Sequence, residues 1–182
     1  SPFVGLMQMD LLQVGGQPAL LTILEDITKR KLGQKRLMAI THLLELFPRT
    51  LTRQEYLDAV VRLIAAFCDC HGVGIRLAGE GKAMPYAAQV GFSRKFVKQE
   101  EALCLAGQEC PCIRILRGRP HVSDQPFVTG HGSFYCSKAS DCPCCAAGGD
   151  GAVCVEAGYE SIAHAPIQYR DRVLGAIHLM DR

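Results

Sequence analysis

The chain has 182 residues, 48% of them hydrophobic and 21% charged, and a formal net charge of +2. That balance supports a buried core and excludes a disordered chain, and the charge is too small to argue for nucleic acid or an anionic membrane as partner. No apolar run reaches the roughly 20 residues that span a bilayer and no signal-peptide pattern opens the chain, so the segment is expected to be cytoplasmic and not membrane-inserted. A start at Ser1, without methionine, reads as a piece of a longer protein whose other parts are free to carry a membrane anchor.

Two apolar stretches, Met7–Leu12 and Pro18–Ile27, flank Gly15-Gly16, the turn chemistry of an antiparallel hairpin. The segment Ala19–Leu24 is apolar enough for a strand buried on at least one face. Such a hairpin is not a stable domain alone, so the first thirty residues read as the tail of a preceding domain. From Leu32 to Phe47 the period becomes helical, with Leu37, Ile40, Leu43, Leu44 and Phe47 recurring every three or four residues, and Pro48 stops it. A second helix is predicted from Thr52, where Thr52-Arg-Gln-Glu55 has the capping-box pattern and Leu57, Val60, Val61, Ile64 and Phe67 form the apolar stripe.

Beyond Cys70-His-Gly the pattern turns to short strands, Gly74–Ala78 and Met84–Val90, followed by a helix over Ser93–Leu105 and another over Pro111–Leu116. The stretch from Pro126 to Gly151 reads as loop. Ser161–Ile167 and Val173–Met180 close the chain as two strands around Tyr169-Arg-Asp-Arg172. Helices, then strands with helical insertions, then a hairpin indicate an α+β fold built on an antiparallel sheet.

Ten cysteines make about 5% of the chain, below the roughly 8–10% of short disulfide scaffolds, so free or metallated thiols in a reducing compartment are expected. They concentrate in Cys110-Pro-Cys112, Cys136, Cys142-Pro-Cys144-Cys145 and Cys154. Thiolates select soft metals, iron–sulfur clusters and oxidants. Cys110, Cys112, Cys136, Cys142, Cys144, Cys145 and Cys154 are therefore the candidate metal ligands, for zinc or an Fe–S cluster, with a dithiol–disulfide switch and inert thiols as the competing readings. Cys68 and Cys104 read as core residues. His164 and His178 are expected on neighbouring strands near the sheet centre, where either could ligate haem or a metal, and His131 lies in a glycine-flanked loop. Together these three histidines are the candidate ligand-binding residues. His42 reads as an ordinary helix-face residue. Gly148-Gly-Asp-Gly151 lacks the context of a phosphate loop, and no catalytic constellation stands out, so this segment is not expected to be an enzyme.

Two resemblances emerge. Ile23-Leu-Glu-Asp-Ile-Thr-Lys-Arg-Lys31 resembles the end of a PAS domain, where the last strand enters a signalling helix. Tyr159-Glu-Ser-Ile-Ala-His-Ala-Pro-Ile167 and Arg172-Val-Leu-Gly-Ala-Ile-His-Leu-Met-Asp181 resemble the final strand pair of a GAF domain. Cys110-Pro-Cys-Ile-Arg-Ile-Leu-Arg-Gly118, Gly132-Ser-Phe134 and Cys154-x4-Tyr159-Glu-Ser161 are similar to a GAF subgroup found behind PAS domains in prokaryotic sensor histidine kinases. Cys110, Cys112 and Cys154 match cysteines of that pattern. Cys136, Cys142, Cys144, Cys145, His164 and His178 depart from it.

The resemblance implies a PAS end over 1–31, a helical signalling linker over 32–51 and a GAF sensor domain over 52–182. It further implies a homodimer through the flanking helices, Leu37, Ile40, Leu43, Leu44 and Phe47 forming the seam, and a C-terminal output domain of a two-component histidine kinase. The expected role is a sensory input module that binds a metal or Fe–S cofactor, or senses redox, through the cysteine-rich site. A zinc-stapled dimerisation domain and a pocket for an unrelated small molecule are the alternatives.

Overall fold

A computed structural model describes residues 3–49, 52–78, 84–105, 113–114, 122–142 and 152–182. The chain forms two compact units, Ser1–Glu45 and Leu46–Arg182. In the first, β1 (Gly5–Val14) and β2 (Gln17–Asp26) pair antiparallel about Gly15-Gly16, with Val14 opposite Gln17. Met7, Met9, Leu11, Leu20 and Leu24 share one face of this ribbon, and Gln8, Asp10 and Glu25 interrupt the other. Both faces are exposed; the burial expected for Ala19–Leu24 is limited to partial cover of Ala19. A two-stranded ribbon has no second layer to cover either face.

Helix α1 (Thr28–Leu46) starts four residues before the Leu32 expected from periodicity. The Asp26 carboxylate accepts from the Thr28 amide at 2.9 Å, so the chain is capped as soon as the strand ends. Buried Ile27 donates its amide to the Val4 carbonyl. A 3-10 turn over Phe47–Arg49 follows.

Helix α2 (Arg53–Cys68) opens the second unit's main body with the capping box in full: the Glu55 amide donates to Thr52 Oγ1, and the Thr52 amide donates to Glu55 Oε2 at 2.9 Å. Asp69, in the left-handed region, ends it. Then come β3 (Gly72–Leu77), β4 (Tyr86–Val90), α3 (Arg94–Leu105), β5 (Phe134–Cys136), α4 (Ala152–Glu156), β6 (Ser161–Tyr169) and β7 (Arg172–Asp181). The five strands form one antiparallel sheet in the order β4-β3-β7-β6-β5.

The sequence reading missed two of these elements. β5 and α4 fall where it expected loop or made no assignment, because three- and five-residue elements are too short to show a period. The helix expected over Pro111–Leu116 lies mostly outside the described residues; Ile113 and Arg114 are helical.

Alternation along β5, β6 and β7 divides the sheet into two faces. Phe134, Cys136, Ile162, His164, Ala176, His178 and Met180 point to a closed face and are buried. Tyr135, Ala163, Ile177 and Leu179 point to the opposite face and are half-buried or exposed. Helix α2 packs on that second face, against β3 and β4. An aromatic and thiol core covers the closed face: Phe92, Phe96, Cys142, Cys154 and Tyr159, joined to Phe134, Ile162 and Met180.

Candidate functional site

One row of side chains crosses the closed face. Gly74 of β3 lies opposite His178 of β7, His178 opposite His164 of β6, and His164 opposite Phe134 of β5. The two imidazoles stand edge to face with centroids 4.3 Å apart, and Phe134 packs on His164 at 5.6 Å. The absence of a side chain at Gly74 makes room for the Tyr86 ring: a Cβ there would sit 2.4 Å from it. Tyr86 thereby brings its hydroxyl 3.2 Å from His178 Nδ1.

His164 is 4% exposed and His178 fully buried, yet His164 Nδ1 and His178 Nε2 have no hydrogen-bond partner. Burial keeps both rings neutral, with the charge of Arg76 acting in the same direction; His164 is pushed down to about 3, and His178 well below the ordinary histidine range. A neutral imidazole has one donor and one acceptor. Whichever of Tyr86 and His178 Nδ1 donates, the far ring nitrogen Nε2, as acceptor or as donor, is left without a partner. Two orphaned polar atoms side by side in a packed core are costly unless something else meets them.

Beside this row lies a buried ion pair. Arg76 NH1 approaches Glu100 Oε2 at 3.0 Å, Arg76 Nε donates to the Met84 carbonyl at 2.7 Å, and the guanidinium stacks 4.8 Å over the Tyr86 ring. Glu100 comes from α3, whose start is capped by Ser93 Oγ accepting from the Phe96 amide. Burial pushes the Glu100 carboxyl up and Arg76 pulls it back. The Cys154 thiol of α4 lies 3.8 Å from the other oxygen, Glu100 Oε1. A run of contacts therefore links Cys154, Glu100, Arg76, Tyr86, His178 and His164: a thiol–carboxylate contact, an ion pair, a cation–π stack, a phenol–imidazole hydrogen bond and an edge-to-face ring pair.

The expected site residues fare unequally. His164 and His178 come together as their register required. His131 does not join them; it is exposed in the turn before β5, carried outward with Gly130. Cys136, Cys142 and Cys154 are buried in the core over the closed face. Cys110, Cys112, Cys144 and Cys145 lie outside the described residues, and among the described residues no group of three or more metal-capable side chains converges. Cys68, expected in the core, is exposed at the last turn of α2, past the stripe that meets the sheet. Cys104 lies on α3, its side chain outside the description.

The sequence reading did not single out Arg76, Glu100 or Tyr86. The usable signal was an arginine flanked by Ile75 and Leu77 in a strand with glycine at alternate positions, Gly72 and Gly74, which marks a face where something packs close. It also passed over Arg114, whose Nε donates to Asp124 Oδ2 at 2.7 Å in a half-buried pair.

No protein-family model matches the chain, and no curated protein matches it. Solved structures do. The GAF domain of phosphoenolpyruvate-protein phosphotransferase from Acinetobacter aligns with a TM-score of 0.53 at 14% identity, over 80% of this chain and 75% of that one. A domain described as belonging to a two-component sensor histidine kinase of Sinorhizobium meliloti aligns at 0.51 and 14%, over 72% and 74%. The phycocyanobilin-bound GAF domain of a cyanobacterial phytochrome aligns at 0.52 and 10%, over 79% and 78%. The five-stranded antiparallel sheet with its flanking helices is a GAF-like fold.

Proposed function

We propose that this chain is a sensory input module of a signal-transduction protein, and that its input is received on the closed sheet face at His164 and His178. The observation that carries the reading is the pair of fully enclosed, neutral imidazoles on adjacent strands, each with a ring nitrogen left without a partner. Stability alone does not select such an arrangement, since an apolar pair of similar volume packs without orphaned atoms. A bound cofactor would meet those nitrogens. A metal ion, an Fe–S cluster or haem would each accept an imidazole nitrogen as ligand. The phycocyanobilin carried by one solved domain of similar fold supports a fold with room for a cofactor of that size.

Output follows from the helices. Leu37, Ile40 and Leu44 of α1 and Phe47 of the 3-10 turn after it are exposed at spacings of three, four and three, a seam on which two copies would pair, with half-buried Leu43 beside it. The parent chain on this reading is a histidine kinase in which this module is cytoplasmic and has no catalytic role of its own. Cofactor binding would shift Tyr86, Arg76 and Glu100, and with them α3 and α4, between two packings.

Metal analysis and an absorption spectrum of protein purified without oxygen test this. Stoichiometric metal or a chromophore, lost in His164→Ala/His178→Ala but retained in His131→Ala, is the expected result. A colourless, metal-free protein whose ring nitrogens show no shift with any cofactor fraction would overturn it.

A further inference from the structure

Tyr86 opens β4 and reaches across β3 to the histidine row on β7. Its ring lies on the bare backbone of Gly74, where any Cβ would collide with it, and Phe92 packs against it with centroids 5.6 Å apart. The Arg76 guanidinium sits over the same ring and is itself fixed, by Glu100 Oε2 at 3.0 Å and by the Met84 carbonyl at 2.7 Å. Gly74, Phe92 and Arg76 thus hold the phenol in place, 3.2 Å from His178 Nδ1.

Which group donates across that bond decides what His178 offers on its other side. A phenol, whose ordinary pKa is about 10, is a far stronger acid than the N–H of a neutral imidazole, and a bare imidazole nitrogen is the better acceptor. The guanidinium 4.8 Å over the ring widens the difference, because a cation there draws electron density away from the phenol oxygen. Both effects make the phenol the donor and Nδ1 the acceptor. Burial holds the imidazole neutral, so its one proton then sits on Nε2, the enclosed nitrogen without a partner.

We propose that Tyr86 is the positioning residue of the histidine row. By donating to Nδ1 it fixes His178 as an Nε2–H donor, so the ligand atom that faces His178 is an oxygen acceptor, carbonyl or carboxylate, and not a metal ion. Any metal ligation then falls to His164 Nδ1. The ligand is that of the sensory reading above and rests on it; the tautomer of His178 stands without it.

Long-range proton–nitrogen NMR on the full chain, carrying nitrogen-15 histidine, reads both ring nitrogens of His178, assigned by their loss in His178→Leu. A protonated Nε2 and a bare, hydrogen-bonded Nδ1 are expected. Tyr86→Phe should lower the ratio of that tautomer to the other about 10-fold, the worth of one buried hydrogen bond, while the exposed His131 keeps its shifts. Replacing the tyrosines by 3-fluorotyrosine, a more acidic phenol, gives the direction of the bond. A donated bond strengthens and moves Nδ1 further toward a hydrogen-bonded acceptor, whereas an accepted one weakens. Zinc(II) added to the parent should leave the Nε2 proton in place. The proposal is overturned by a protonated Nδ1 in the parent, a ratio unmoved in Tyr86→Phe, a fluorine effect of opposite sign, or loss of the Nε2 proton to zinc. Should Tyr86→Phe fail to fold, the fluorotyrosine shift decides alone. The expected tautomer in a protein that takes up no cofactor would sink the sensory reading and leave the pairing of Tyr86 with His178 standing.

Discussion

The two faces of the five-stranded sheet use the same alternation of residues to opposite ends. On the closed face Phe134, Cys136, Ile162, Ala176 and Met180 are buried together with two histidines, and beside them are enclosed an arginine from β3 and a glutamate from α3. On the other face α2 covers β3 and β4, while a shallow groove of about 170 Å³ is left between the end of α2 and β5 to β7, lined by Cys68, Cys70, Tyr135, Ala163 and Leu179. Polar groups in contact with water cost little, so the open face tells nothing by carrying them. Enclosed ones must be compensated, and among the described residues the buried side-chain nitrogens left without a partner are two ring nitrogens of the closed face. The contrast locates chemistry by where polarity is expensive.

The largest effect that would sharpen the contrast comes from splitting the buried ion pair. Arg76→Leu leaves the Glu100 carboxyl enclosed without its partner and is expected to cost about 3–5 kcal/mol in urea unfolding. Arg76→Leu/Glu100→Leu should restore most of that loss. A single variant no worse than the double would mean the pair is not enclosed as described.

Next comes acid. Both histidines have folded values below the unfolded one, so the unfolded chain binds more protons and stability rises with pH. Nothing is gained or lost above about pH 6.5. Below it, stability of the cofactor-free chain should fall by up to about 1.4 kcal/mol per pH unit for each histidine, and for His164 the fall continues to about pH 3. His164→Leu/His178→Leu should flatten the dependence between those limits. An unchanged slope would show that the rings titrate freely.

A smaller change tests the roof. Gly74→Ala drives a methyl into the Tyr86 ring and should destabilise by about 1–3 kcal/mol while displacing the phenol from His178, read from the imidazole proton shifts. Gly33→Ala, on α1 with open space at its Cβ, should instead stabilise by up to about 1 kcal/mol. Smallest of all, Cys68→Ser and Tyr135→Thr on the open face should stay within about 0.5 kcal/mol of the parent. A large loss there would erase the distinction between the faces.

Much of this architecture was legible beforehand because it rests on patterns of eight or more residues. The capping box at Thr52 and the final hairpin about Arg170 follow from local chemistry, and the hairpin puts His164 and His178 on neighbouring strands; the register shift between Ile167 and Gln168 that sets them opposite one another has no signal in the sequence pattern. What stayed hidden depends on non-local approach. Arg76 and Glu100 are 24 residues apart, on a strand and a helix whose separate periods say nothing of each other. Tyr86 reads as an ordinary strand aromatic until Gly74 is seen beneath it. Cys68 was misread because burial tendency is a property of the residue type, whereas the last turn of a helix can overrun the surface it packs on.

The hairpin of the first unit has a consequence for handling the protein. Both of its strands are edges, with backbone donors and acceptors unpaired on the outer sides, and one face presents Met7, Met9, Leu11, Leu20 and Leu24 together. Such a ribbon is a template for pairing with its like at high concentration. Solutions of this chain should therefore cloud from its N-terminal end, and a lysine at Leu11 is the simplest remedy to try.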